Sequence, residues 1–282
     1  MRPVVFATAV LLGQEPVQTE GQRVALCGHS FHTPIANPLA ELAGLAGVKG
    51  HRNVVVQGLG GSRVVQHWEL ADEKDRARKA IRAGEVDVLT VSPNMKAPDE
   101  GIDRFTALLL EQNPSGRVYV QASWHPGEWL PRVPGFKNED RDTVDLEELR
   151  KNYDTFYSAL QEQVRGMNTL YEEKHKRPVV FIVPAAHALY ILRERVSQGK
   201  VPGLTRPSEL FTDATGHGKP PVNALTAYCF FAAIYRRSPV GLPLPKILRD
   251  PANPAWDENF NRILQEIAWE AVTREPLSGV KK

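Results

Sequence analysis

Two cysteines in 282 residues are too few for a disulfide framework or a thiolate zinc site. Cys27 and Cys229 each lie in an apolar stretch, where buried free thiols are expected and a Cys27–Cys229 bridge is the alternative. Charge of one sign is missing too: 35 Lys and Arg against 33 Asp and Glu leave a formal net charge of +2. With no Lys/Arg block, no nucleic acid and no anionic membrane surface is expected as a partner. Long hydrophobic runs are scarce. The one near the N-terminus, 3–13, is too short to span a bilayer as a helix. One positive charge (Arg2), about ten apolar residues and a small residue at their end resemble a short signal peptide over residues 1–18. Export to the periplasm or beyond is therefore expected; a plain tail or an extra edge strand, in a cytoplasmic protein, is the alternative. Cofactor signatures are also lacking. Gly58-Leu59-Gly60-Gly61-Ser62 has neither the third glycine of a dinucleotide turn nor the Lys-Ser/Thr of a P-loop. No His-Glu-x-x-His segment or carboxylate-rich set accompanies His29, His32, His125 and His217, so neither a metal nor a cofactor is expected.

What the chain has is alternation. Apolar segments at 23–27, 53–57, 86–91, 117–121 and 178–183 read as strands. Between and after them, helical spacing appears at 39–46, 72–83, 103–112, 145–167, 185–194, 222–235 and 256–273. Thr33-Pro34 offers a cap and a first-turn proline for the first helix, and Asp145 with Glu148 a capping box for the longest. Strands separated by helices predict a three-layer α/β/α fold around a mainly parallel, five-stranded, flavodoxin-like sheet. No linker or repeat interrupts it, so residues 19–282 are expected to form one domain. Residues 239–254, with their prolines, read as a surface wrap that opens a C-terminal extension, 239–282.

In open parallel sheets, ligands bind beyond the carboxyl ends of the strands. Polar segments stand at four such ends: Gly28-His29-Ser30, Gly58-Leu59-Gly60-Gly61-Ser62, Ser92-Pro93-Asn94 and Ser123-Trp124-His125. Far downstream, Asp213-Ala214-Thr215-Gly216-His217 precedes the apolar helix at 222–235. A serine hydroxyl becomes an effective nucleophile when a base takes its proton. An imidazole near its ordinary pKa of about 6.5 can do so, steadied by a carboxylate. Each residue also has a plainer reading. Ser30 would serve as a helix cap, His217 as a loop histidine bonded to backbone, Asn94 as a turn residue, and Gly60-Gly61 as a turn needing positive φ.

Taken in order, these motifs resemble the SGNH (GDSL-type) hydrolase superfamily over residues 23–235. The resemblance implies Ser30 as nucleophile, His217 as general base and Asp213 as its orienting acid. The Ser30 N–H, Gly61 (or its neighbour Gly60) and the Asn94 side chain would form the oxyanion hole. The pattern departs at three points. His29 stands where the family has aspartate, Ser92-Pro93-Asn94 replaces Gly-x-Asn-Asp, and acid and base are spaced Asp-x-x-x-His rather than Asp-x-x-His. Glu209 is a substitute acid upstream. His29, Arg63, Trp124 and His125 are candidate substrate contacts, with Trp124 and Trp129 suited to stacking on a sugar ring or acyl chain. For Arg63 the competing reading is an ion pair with Glu69 or Asp72. The expected activity is hydrolysis of an ester, an O-acylated carbohydrate or a small ester, through a serine acyl-enzyme. The rival is a non-catalytic binding protein for a glycan or other small ligand on the same scaffold.

Overall fold

Five short apolar strands make the middle layer. The computed structural model describes residues 17–128 and 133–281. In it β1 (Arg23–Gly28), β2 (Arg52–Gly58), β3 (Val88–Val91), β4 (Arg117–Gln121) and β5 (Val180–Val183) pair in the order β2-β1-β3-β4-β5. Every pair is parallel, so the sheet is parallel throughout rather than mainly so. β3, β4 and β5 are buried along their whole length, as strands covered on both faces must be. The edge strand β2 is half-exposed. At the opposite edge, the Ile182 N–H donates to the Leu277 carbonyl at 2.9 Å, so the C-terminal segment covers β5.

Helices form the two outer layers. α1 (Ala36–Leu45), α6 (Ala185–Ser197), α7 (Pro220–Tyr235) and α8 (Glu258–Arg274) pack on one another. α2 (Val64–Trp68), α3 (Arg76–Arg82) and α4 (Glu100–Gln112) form the second group. α5 (Leu146–His175) joins it through Gln163, which bonds both backbone groups of Asp99 at 2.9 and 2.8 Å. α7 is buried on nearly every side, as its uniformly apolar sequence predicts. Each fully buried phenylalanine there, Phe230 and Phe231, contributes roughly 2–3 kcal/mol.

Several sequence expectations shift. α3 starts at Arg76, with Asp75 accepting from the Arg78 N–H, and not at Asp72. Pro34 opens a single 3-10 turn (Thr33–Ile35) ahead of α1, and the Thr33 hydroxyl donates back to the His29 carbonyl instead of capping. α2 has no counterpart in the expected helices, because five residues are too few to display a period. Cys27 and Cys229 are buried free thiols, which rules out the bridge. Residues 239–254 do wrap the surface. They are pinned by the Gly241 N–H on Gln265 and the Lys246 N–H on Glu41, both at 2.9 Å. The signal-peptide expectation falls almost wholly outside the described residues. Among the described residues, no helix is long and apolar enough to cross a membrane.

β1 lies between β2 and β3, so the chain leaves β1 and β3 toward opposite layers and opens a crevice at their carboxyl ends. That crevice receives the candidate site.

Candidate active site

Strand register brings the four polar segments to one rim. Gly28 pairs with Gly58, Cys27 with Val91, Val91 with Val120 and Gln121 with Val183. Ser30, Gly61, Asn94 and Ser123 each follow within three residues of those partners, so all four stand just beyond the carboxyl edge. After β1 the chain turns tightly, the His32 and Thr33 N–H groups both donating to the His29 carbonyl at 2.9 and 3.1 Å. The turn requires glycine at Gly28, where a Cβ would lie 2.9 Å from the His32 ring. It leaves Ser30 exposed, its hydroxyl 2.9 Å from His217 Nε2 across 187 residues of sequence.

The His217 loop is a short two-ended clasp. Phe211 and Gly218 form an antiparallel bridge, and the Thr212 N–H donates to the His217 carbonyl at 2.9 Å. Inside it, one oxygen of Asp213 accepts from the Gly216 and His217 N–H groups at 2.9 and 3.3 Å. The other oxygen lies 2.6 Å from His217 Nδ1. A carboxylate has no proton to give, so Nδ1 carries the proton and Nε2 is free to accept one from Ser30. Gly216, at φ +100°, absorbs the extra residue of the Asp-x-x-x-His spacing. Partial burial raises the Asp213 pKa. The hydrogen bonds from the His217 ring and the two N–H groups outweigh that and hold it below the ordinary value. Asp213 therefore remains ionised at neutral pH. Glu209 is not the acid, because its carboxylate accepts from the Thr205 and Arg206 N–H groups at 2.7 and 3.2 Å.

On the opposite lip, Gly61 (φ +61°) accepts a 2.6 Å bond at its carbonyl from the Asn94 side-chain amide. An amide nitrogen has two donors, so one tethers the glycine turn and one remains. Among the described residues the Ser30 and Gly61 N–H groups donate to no acceptor. Unengaged donors at the strand ends are what a developing oxyanion would need.

Of the four candidate substrate contacts, His29, Trp124 and His125 are buried and Arg63 is ion-paired. His29 is buried: its Nδ1 accepts from the Phe31 N–H at 3.3 Å and its Nε2 lies 3.0 Å from the Ser92 hydroxyl. Burial, reinforced by nearby His32, His67 and His217, pushes its pKa down to about 3, so the ring is neutral. Trp124 is also buried, stacked on Phe31 at 4.9 Å, with its indole N–H donating to the Gly216 carbonyl at 2.9 Å. It braces the His217 loop instead of offering a face to substrate. His125 packs edge-on against Tyr153 in the core. Arg63 pairs with Asp99 and Glu100 at 3.5 and 3.4 Å, and not with Glu69 or Asp72. Trp129 lies outside the described residues.

One supporting group was absent from the sequence reading. Arg141, fully buried, donates to the Asp213 and Ala214 carbonyls at 3.2 and 2.9 Å. Glu128 holds it at 2.7 Å and also binds Arg193 at 2.5 Å. Two guanidiniums share one carboxylate, and the surplus positive charge faces carbonyl oxygens behind the His217 loop. Glu128 and Arg193 stand 65 positions apart, and nothing in the sequence signals their convergence on Arg141. The Phe31 ring, next in sequence to Ser30, meets His217 edge-on at 5.2 Å.

No family model matches the chain, and no curated protein does. Among solved structures there are similar ones. A DUF4886 family protein from Bacteroides uniformis superposes with a TM-score of 0.51 at 15% identity, over 89% of this chain and 95% of that one. A protein described as a candidate SGNH hydrolase, from Slackia heliotrinireducens, gives 0.41 at 16% identity, over 75% and 97%. At such identities the likeness is one of fold, and the chemistry must be argued from the residues themselves.

Proposed function

We propose that this protein is a serine-dependent ester hydrolase of SGNH type, acting on a small ester, O-acylated carbohydrates among them. One observation carries the reading: Ser30, His217 and Asp213 form an unbroken hydrogen-bonded chain at 2.9 and 2.6 Å, with the tautomer a base needs. Ser30 Oγ would attack the ester carbonyl as its proton passes to His217 Nε2, and Asp213 would steady the imidazolium. The Ser30 and Gly61 N–H groups, with the spare Asn94 donor, would hold the oxyanion, each worth about 3–4 kcal/mol of barrier. Collapse of the intermediate returns the proton to the leaving alcohol and leaves an acyl-Ser30. Water, activated by the same imidazole, then releases the acid. The reacting groups are open to solvent, the side chains of His217 and Asp213 being 38% and 46% exposed, so a bulky alcohol would not have to enter a closed pocket.

A fluorophosphonate probe tests this directly. Wild-type protein is expected to label and to hydrolyse p-nitrophenyl acetate, and Ser30→Ala to do neither. Binding of glycans by a folded wild type that never labels would replace the enzyme with the binding-protein reading.

A further inference from the structure

Behind Ser30 lies a buried polar chain whose proton positions follow from the donors and acceptors present. The Phe31 N–H donates to His29 Nδ1, so the proton of that neutral ring sits on Nε2 and donates to the Ser92 hydroxyl at 3.0 Å. Ser92 and Ser123 share a 3.0 Å bond. The Gln121 amide nitrogen spends both protons, on the Ser123 hydroxyl at 2.6 Å and the Phe31 carbonyl at 2.9 Å. Its oxygen must then accept from His32 Nδ1 at 2.9 Å, which leaves His32 Nε2 to accept from the Thr90 hydroxyl, also at 2.9 Å. Both backbone groups of Phe31, the residue after Ser30, are thus held by this one chain. The Phe31 ring in turn touches His217 and Trp124, and Trp124 holds Gly216.

We propose that His29 is a positioning residue: by accepting the Phe31 N–H at Nδ1 while anchored through Nε2–H to Ser92, it sets the Ser30 turn and the Phe31 ring that carries His217. The inference rests on the esterase reading and extends it to a residue that never meets substrate. A neutral imidazole can do this where a buried carboxylate could not be placed cheaply, since His29 sits on Ser92 and, among the described residues, no Lys or Arg hydrogen-bonds or pairs with it. Small displacements matter at such a place, because a misplacement of about 1 Å can cost on the order of a hundredfold in rate.

Two near-isosteres separate the two nitrogens. His29→Asn puts an oxygen near the position of Nδ1 and keeps the acceptor for Phe31. His29→Gln keeps a donor toward Ser92 and loses that acceptor. Turnover of p-nitrophenyl acetate, fluorophosphonate labelling rate and melting temperature would be measured for both and for His29→Ala. His29→Gln and His29→Ala are expected to lose at least about tenfold in kcat with KM unchanged, and His29→Asn to recover most of it. Equal losses in the Asn and Gln variants, or no loss in any, would overturn the proposal. Should the variants not fold, nitrogen-resolved NMR of the wild type still decides: a neutral Nε2–H tautomer at pH 7 supports the clamp, and an Nδ1–H tautomer refutes it. A folded wild type that neither labels nor turns over would sink the esterase reading, while the tautomer would still report on the clamp.

Discussion

Mild acid should unfold this protein at a pH where most carboxylates are still ionised. Four histidines are almost fully enclosed: His29, His32, His67 and His125. Burial pushes their pKa values down, to about 3 for His29 and about 4 for the other three. In the unfolded chain each would return to about 6.5. The folded values are lower, so the unfolded state binds more protons throughout the window between them. The stability these groups contribute is fully present above about pH 6.5 and is lost as pH falls toward 4. Between pH 7 and pH 5 linkage gives a loss of about 2 kcal/mol for each histidine, so about 8 kcal/mol for four. That is comparable to the whole stability of an ordinary domain, roughly 5–15 kcal/mol. Asp99 and Glu275 act in the opposite sense, because burial raises both carboxyls, and they offset a part of the loss. Urea unfolding at intervals between pH 7.5 and pH 5, followed by tryptophan fluorescence, measures the slope. More than half of the stability should disappear by pH 5, most steeply below pH 6. A change under about 1 kcal/mol over that range would show that these rings are protonated or solvated in the folded state, and would remove the basis for the neutral His29 clamp.

Two substitutions probe the acid–base loop. Asp213→Asn keeps the size of the side chain but permits the wrong imidazole tautomer, so kcat on p-nitrophenyl acetate should fall by about 10³-fold or more with the fold intact by circular dichroism. Unchanged turnover would mean that another group orients His217. Gly216→Ala sets a side chain at φ +100° with its Cβ 3.0 Å from the buried Arg141 guanidinium. Strain of roughly 1–3 kcal/mol should lower the melting temperature by several degrees and slow labelling of Ser30, whereas a melting curve superposable on wild type would show that the loop is looser than its hydrogen bonds imply.

How much of this could be read from the sequence depends on whether a residue's chemistry or its surroundings decide its job. The strands were legible because buried parallel strands are short apolar runs ended by glycine or polar residues, and the layer order follows from alternation. α2 and the true start of α3 were not, because a five-residue helix and an Asp75 cap inside a charged stretch leave no period to detect. At the candidate site, Ser30, Asp213 and His217 could be singled out because each sits at a glycine-marked break, and the structure brings the three within hydrogen-bond reach. His29, Trp124 and His125 have the same chemical appeal and the same strand-end address, yet they point inward. Side-chain direction at a turn is set by φ and ψ values that residue type does not encode. Arg141 and Glu128 were hidden for the converse reason, since charged side chains read as solvated until a second element closes over them.

The Asp-x-x-x-His spacing makes the same point for the proposed acid and base. A triad is defined by where its atoms meet, and Asp213 meets His217 while also accepting from the Gly216 and His217 N–H groups. A turn of that form accommodates the added residue because Gly216 tolerates the positive φ it requires. The Arg141 and Trp124 bonds to the loop carbonyls then hold the turn shut. Spacing along the chain is therefore a weak filter for this chemistry. The stronger one is a carboxylate able to reach an imidazole nitrogen while its other oxygen is satisfied by the backbone of the same turn.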